Sequence, residues 1–347
     1  MMGIIGIIML LLLLYGPNQK FRDWLINTAM TTMNHQYLAT WFYDEATIED
    51  SLNRNSISAF SFASNIDDVQ FIDYAKMDNI EFENEYEKQI LDKVRENNDY
   101  KIIKITGEKY DGYLAAIYDP TRVDVAVTKY LGKDGQYLSI ISEQNNAYVA
   151  ITGGGFVDPG GNGTGGEPLG ITIDDGILRH ETIYNKERLK GGLVGLTSDH
   201  KLYLGDISSS QALAMGITDS VSFGPYLIVN GISADVSGMA GGLSPRTAIG
   251  QRKDGIFLFL VLDGDRTLGR GASYQDILEI MEKYGAYNAS CLDGGTSAGM
   301  TVKNQLINNP TSERGQHRSR PIATAFILKV DDKDNGDYSI VANKLQY

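Results

Sequence analysis

The stretch Tyr287-Asn288-Ala289-Ser290-Cys291-Leu292-Asp293-Gly294-Gly295-Thr296-Ser297 begins as a short apolar run and breaks at a carboxylate followed by two glycines. This is the pattern of a strand that stops and hands an acidic side chain to a loop. Upstream, Gly285 closes a helix that Ser273 opens as an N-cap, with Asp276 three positions on at capping-box spacing. Tyr274, Ile277, Leu278, Met281 and Tyr284 form its apolar face. Before the helix, Ile256-Phe257-Leu258-Phe259-Leu260-Val261-Leu262 is a continuous apolar run of strand length, which predicts burial on both faces in mid-sheet. It too ends in a carboxylate, Asp263-Gly264.

Strand, helix and strand in this order predict a βαβ unit with neighbouring parallel strands. Asp263 and Asp293 then emerge at one sheet edge, roughly 5 to 10 Å apart. Ligands in such sheets bind outside the carboxyl ends of the strands. A single Asp-Gly pair is more often a plain turn. Two in register, one with an extra glycine, point to an active site.

Working outward, Ser244-Pro245-Arg246-Thr247-Ala248-Ile249-Gly250 sets an arginine at the head of a small-residue strand. Burying it would be costly without an anionic partner, so a structural ion pair and an anion-binding role are both open. Tyr226 to Val229 is an apolar strand ended by Asn230-Gly231, where Asn230 suits either a left-handed turn or a ligand contact. Ala147 to Thr152 is a strand leading into Gly153-Gly154-Gly155-Phe156. The glycine-rich loop that follows contains Asp158, Asn162 and Glu167, whose spacing does not match a calcium-binding EF-hand loop; a lid is the preferred reading. Asp174-Asp175-Gly176 after Ile171-Thr172-Ile173 predicts a hairpin.

His35, His180, His200 and His317 are scattered without helix-face metal spacing, and no Gly-x-Ser-x-Gly elbow is present. No metal or cofactor is predicted. The 347 residues carry 44 Asp and Glu against 31 Lys and Arg, a formal charge of -13 that disfavours nucleic acid as a partner. The single cysteine, Cys291, excludes an intramolecular disulfide.

Residues 1–16 are nearly all Ile, Leu, Met and Gly, and are read as an uncleaved transmembrane signal anchor in preference to a cleaved signal peptide. Residues 17–98 read as a helical stem and linker, with a helix from Glu85 to Glu96. Residues 99–347 read as the main domain, placed outside the cytoplasm at the cell surface. The expected fold class is α+β (mixed α/β), a central mixed β-sheet with packed helices.

Taken in order, Ala150-Ile151-Thr152-Gly153-Gly154-Gly155-Phe156, Pro225 to Gly231, Arg246 to Gly250, Leu262-Asp263-Gly264, Leu292 to Ser297, and Asn309-Pro310 with Arg320-Pro321-Ile322-Ala323 resemble the phosphodiester glycosidase family. That is the family of the lysosomal uncovering enzyme, with bacterial members associated with exopolysaccharide. The matching motifs span about 148 to 329. The family usually has Asn in place of Thr152 and an aromatic in place of Gly155.

The resemblance implies hydrolysis of a sugar-1-phosphodiester or surface-glycan linkage. Asp293 is expected as base or nucleophile, Asp263 as the carboxylate that positions sugar hydroxyls, and Arg246, helped by Arg320, as the phosphate clamp. Thr152, Gly153, Gly154, Asn230, Gly294, Gly295, Thr296, Ser297 and Arg320 are expected to line the substrate. Glycan transfer during polysaccharide assembly and a non-catalytic glycan-binding role are the alternatives.

Overall fold

The computed structural model describes residues 2–30, 36–54, 60–158, 163–182, 191–236, 242–311 and 317–330. Elements are numbered in chain order. The N-terminal part contains α1 (Met2–Tyr15), α2 (Gln19–Met30), α3 (Tyr37–Thr40) and α4 (Glu45–Arg54). The last turn of α1 packs into them: Leu14 joins a small core with Ile26, Ala39, Tyr43 and Ile48. The Tyr43 hydroxyl donates to the Leu14 carbonyl at 3.0 Å.

Among the described residues no helix is long and apolar enough to cross a membrane. With 14 residues, α1 rises roughly 21 Å, against a hydrocarbon core of about 30 Å. The transmembrane anchor expected over 1–16 is therefore not supported by α1, a short apolar helix whose last turn docks on the stem.

The main domain is built from three sheets whose paired strands are all antiparallel. The first sheet orders β1 (Tyr100–Thr106), β2 (Asp111–Ile117), β13 (Phe257–Leu262), β12 (Arg246–Arg252), β14 (Ala286–Leu292), β10 (Tyr226–Val229) and β11 (Ile232–Ser233). The second orders β16 (Gln305–Leu306), β15 (Met300–Val302), β4 (Ala147–Thr152), β17 (Thr324–Lys329) and β3 (Val123–Val127). The third orders β6 (Ile177–Glu181), β5 (Ile171–Asp174), β9 (Ile217–Phe223), β7 (Gly192–Thr197) and β8 (Leu202–Gly205).

One core lies between the sheets, with Phe259 and Ile249 of the first meeting Ile151 and Phe326 of the second and Val194 and Val221 of the third. A second core covers the other face of the first sheet. There α5 (Glu85–Leu91) supplies Ile90 and Leu91, and α8 (Tyr274–Lys283) supplies Ile277 and Met281. On the outer face of the second sheet, α6 (Leu138–Gln144) contributes Leu138 and Ile141. The remaining helix, α7 (Ser209–Ala214), flanks the third sheet.

The α+β class is thus observed, but the mixed central sheet resolves into antiparallel ones. All six residues of β13 are buried, as a central strand requires. The capping box forms as read, with Ser273 and Asp276 each bonded to the other's backbone. The hairpin turn forms as well, with Asp175 and Gly176 both at positive φ.

Residues 60–98, read as part of the stem and linker, are docked on the main domain. Ser64 N donates to Leu204 O at 2.9 Å and Gln70 N to Lys253 O at 2.8 Å. Arg252 binds Glu87 at 3.1 Å and Asp254 at 2.8 Å.

The parallel neighbours predicted from the strand-helix-strand order are corrected. β12 lies between β13 and β14 and is antiparallel to both, so the two strands point the same way but are not adjacent. The intervening strand comes from earlier in the chain, which local pattern does not reveal.

Candidate active site

Because β13 and β14 run in the same direction, Asp263 and Asp293 leave the sheet at the same edge. Arg246 begins the strand between them: it is the Cα partner of Leu262, and Thr247 that of Leu292. Two strand spacings put the backbones of the two aspartates about 10 Å apart.

Asp293 is held where the first two sheets meet. Its backbone N–H donates to the Gly153 carbonyl at the end of β4 (3.0 Å), and its Oδ1 accepts from Gly294 N (3.0 Å). Burial pushes its carboxyl up to about 6. A hydrogen bond from Ser297, the charge of Arg320 and the Gly294 amide hold it down, while the negative Asp158 raises it further. Such a carboxyl is ionised at neutral pH yet close enough to protonation for acid-base work.

The glycines make this approach feasible. A Cβ on Gly153 would stand 2.6 Å from Thr324 Oγ1 and 2.9 Å from the Thr324 carbonyl carbon. Gly154 N donates to Thr324 Oγ1 at 3.0 Å. Gly295 turns the chain at φ +61, a region that favours glycine, and its N–H donates to Pro245 O at 2.9 Å. Thr152 is fully buried, and its hydroxyl donates to the Ser297 carbonyl at 2.5 Å. It braces the Gly295–Ser297 turn, in which Thr296 is half-buried.

Asp263 is gripped differently. Asn309 N donates to both of its oxygens, at 3.0 and 2.9 Å, and Asn308 Nδ2 to Oδ1 at 2.8 Å. Burial raises its carboxyl above the usual range, and these donors work in the opposite direction, as does the nearby His317.

The two arginines play unequal parts. Arg320 lends its charge to Asp293, stacks 4.6 Å from the centre of the Phe156 ring and pairs with Asp158 at 2.8 Å. The Arg246 guanidinium lies on the helical side of the sheet. Nε donates to Ala272 O (3.1 Å), Nη2 to Gly242 O (3.0 Å), and the group stands 4.1 Å from the centre of the Tyr274 ring.

Asn230 is not brought to this edge. β10 runs against β14, so its end lies at the far side of the sheet. There Asn230 takes the left-handed conformation (φ 55), accepts from Asn65 N at 2.6 Å and donates to Ala63 O at 3.1 Å. It fastens the segment carrying Ala63 and Asn65 to this side of the sheet.

Asp158, Phe156, Asn308 and His317 reach the site without having been singled out for it by sequence. Three of the four had a signal in or beside them: Phe156 closes the Gly153-Gly154-Gly155-Phe156 motif, Asp158 stands in the glycine-rich loop, and Asn308 precedes the Asn309-Pro310 motif. Among the described residues, no group of three or more His, Cys, Asp or Glu is placed to hold a metal ion. Asn162 and His35 lie outside the described residues.

A family model described as phosphodiester glycosidase matches residues 145–329, just over half of the chain. The SPbeta prophage-derived uncharacterized protein YomE of Bacillus subtilis (strain 168) is 24% identical over 225 residues, 61% of this chain and 34% of its own length. The chain therefore spans about a third of that relative. Among solved structures, the catalytic domain of zebrafish N-acetylglucosamine-1-phosphodiester alpha-N-acetylglucosaminidase, auto-inhibited by its pro-peptide, aligns with a TM-score of 0.53 at 21% identity. The alignment covers 67% of this chain and 83% of that one, and shows a shared fold.

Proposed function

The chain belongs to the phosphodiester glycosidase family, and from that premise we propose that it hydrolyses sugar-1-phosphodiesters of the α-N-acetylglucosamine-1-phosphodiester type in surface glycans or exopolysaccharide. The observation that carries the reading is one sheet edge at which Asp293, its carboxyl raised to about 6 by burial, feels the charge of Arg320 and where Asp263 also leaves its strand. Asp293 suits an anomeric carbon and its attacking water; Arg320 suits a phosphate.

In this reading the water oxygen bonds to the anomeric carbon while the bond from that carbon to the phosphate oxygen breaks. The phosphate oxygen leaves with the electron pair, and Asp293 accepts the proton from water. A phosphomonoester has a second pKa of about 6, so it departs without a strong general acid. What it needs is charge neutralisation, which Arg320 supplies. A guanidinium carries five N–H donors in a planar fork, and Asp158 engages it through Nη1.

Asp263, gripped by Asn308 and Asn309, is the fixed acceptor for sugar hydroxyls. Gly153, Gly154, Gly294 and Gly295 let backbone approach the ligand closely. The surface setting rests on α1, where Ile8, Leu10 and Leu12 are about half exposed. Ile5, Met9, Leu11 and Leu13 are exposed too, and a helix apolar on all sides suits lipid better than water.

Incubation with an α-N-acetylglucosamine-1-phosphodiester tests the proposal. Free sugar and phosphomonoester in equal amounts support it, elongated glycan would mean transfer, and binding without any product would overturn catalysis.

A further inference from the structure

We propose that Asn308 is a positioning residue that locks the Asp263 carboxylate to the turn following Asp293, so that the two acidic strand ends act as one rigid unit. This rests on the hydrolase reading above and deepens it. Asn308 is 8% exposed and sits just after β16. Its amide makes three short contacts, to two different structures. Nδ2 donates to Asp263 Oδ1 at 2.8 Å and to the Ala298 carbonyl at 3.1 Å, and Oδ1 accepts from Met300 N at 2.9 Å.

Ala298 and Met300 flank the step from the Gly295–Ser297 turn into β15, and that turn follows Asp293 directly. One side chain therefore ties the end of β13 to the exit of β14 across the strand that separates them. Neither carboxylate reaches the other at roughly 10 Å; the asparagine closes the gap. An amide is suited to this because it donates and accepts at once, whereas a carboxylate only accepts and an ammonium only donates.

The contact does more than brace. Asp263 is half-buried, and burial favours its neutral form. The Asn308 amide and the Asn309 N–H oppose this by donating to the charged form. Without the Asn308 donor, Asp263 takes up a proton at higher pH and ceases to be the ionised acceptor that a sugar hydroxyl needs.

Asn308→Asp removes the donor that Asp263 shares with the Ala298 carbonyl. It keeps the oxygen that accepts from Met300 N and replaces the donor facing Asp263 with a second carboxyl. The expected result is an acid limb of the kcat/KM profile shifted to higher pH by about one unit, with activity lost most on the acid side of the profile. The double variant Asp263→Asn/Asn308→Asp reverses donor and acceptor across the same contact. It is expected to recover part of the melting temperature lost in Asn308→Asp, the Ala298 contact staying broken, but not the activity, because the charge then sits on the wrong residue.

An unchanged pH profile in Asn308→Asp, or activity returning with stability in the double variant, would overturn the proposal. If Asn308→Asp does not fold, the double variant alone decides between the two outcomes. If the parent itself turns over no sugar-1-phosphodiester, it is the hydrolase reading that fails.

Discussion

Asp158 holds Arg320 at 2.8 Å with the guanidinium set over the Phe156 ring, so an arginine whose charge acts on Asp293 is shared with a second, buried carboxylate. Substrate phosphate must compete with Asp158 for that cation. Removing Asp158's charge frees Arg320 and withdraws a repulsion from Asp293, and both effects lower the Asp293 pKa. Asp158→Asn should therefore move the acid limb of the rate profile to lower pH. A limb unchanged or moved upward in steady-state assays between pH 4 and 8 would count against this arrangement.

Asp293 also links pH to stability. Its folded carboxyl lies at about 6, above an unfolded value of about 3.9, so folding favours the protonated form. Stability contributed by that proton is present at low pH and is lost as pH rises through 6. Asp293→Asn should melt above the parent at pH 7, with the gap closing as the pH falls towards 4. Differential scanning calorimetry at the two pH values checks this; a variant that melts lower at pH 7 contradicts it.

Gly153→Ala tests the junction of the two sheets. The added Cβ meets Thr324 Oγ1 at 2.6 Å and its carbonyl carbon at 2.9 Å, and the backbone cannot yield without disturbing the Gly153 carbonyl that accepts from Asp293 N. A loss of about 1 to 3 kcal/mol in denaturant unfolding is expected. Turnover should fall by a larger factor than the folded fraction does.

Arg252→Ala tests the docking of α5 far from the chemistry. Arg252 binds Asp254 and Glu87 and donates to Tyr284 O at 3.1 Å, and its removal leaves the 7%-exposed Asp254 without its cation. A destabilisation of about 3 to 5 kcal/mol is expected, with KM and kcat per folded molecule unchanged.

Asp219→Asn addresses the contact between the second and third sheets. Burial, with Asp124 as hydrogen-bond partner and repelling charge, drives the Asp219 carboxyl far above the usual range. Asp175 N donates to it at 3.3 Å, and Lys329 pairs with Asp124 alongside. Its stabilising proton is lost as pH rises through the folded pKa, so the variant should gain melting temperature over the parent at pH 9 more than at pH 5. Equal shifts at both would contradict this.

Features carried by adjacent residues were legible in the sequence. The apolar run of β13, the Ser273–Asp276 capping box, the Asp175-Gly176 turn and the two strand-end aspartates each depend on local chemistry, and each is where the pattern put it. What local pattern did not reveal depended on distant pairing. β12 inserted between β13 and β14, Asn230 went to the opposite sheet edge, and Arg246 turned towards Tyr274. Asp158 and Asn308 sit in loops, where no periodicity marks a residue whose partner is 162 or 45 positions away.

The most direct test of the account is hydrolysis of an α-N-acetylglucosamine-1-phosphodiester by Asp293→Asn whose fold is verified by circular dichroism and melting. The account predicts that turnover falls to the background rate while the variant melts no lower than the parent at pH 7. Turnover within a few-fold of the parent would contradict it.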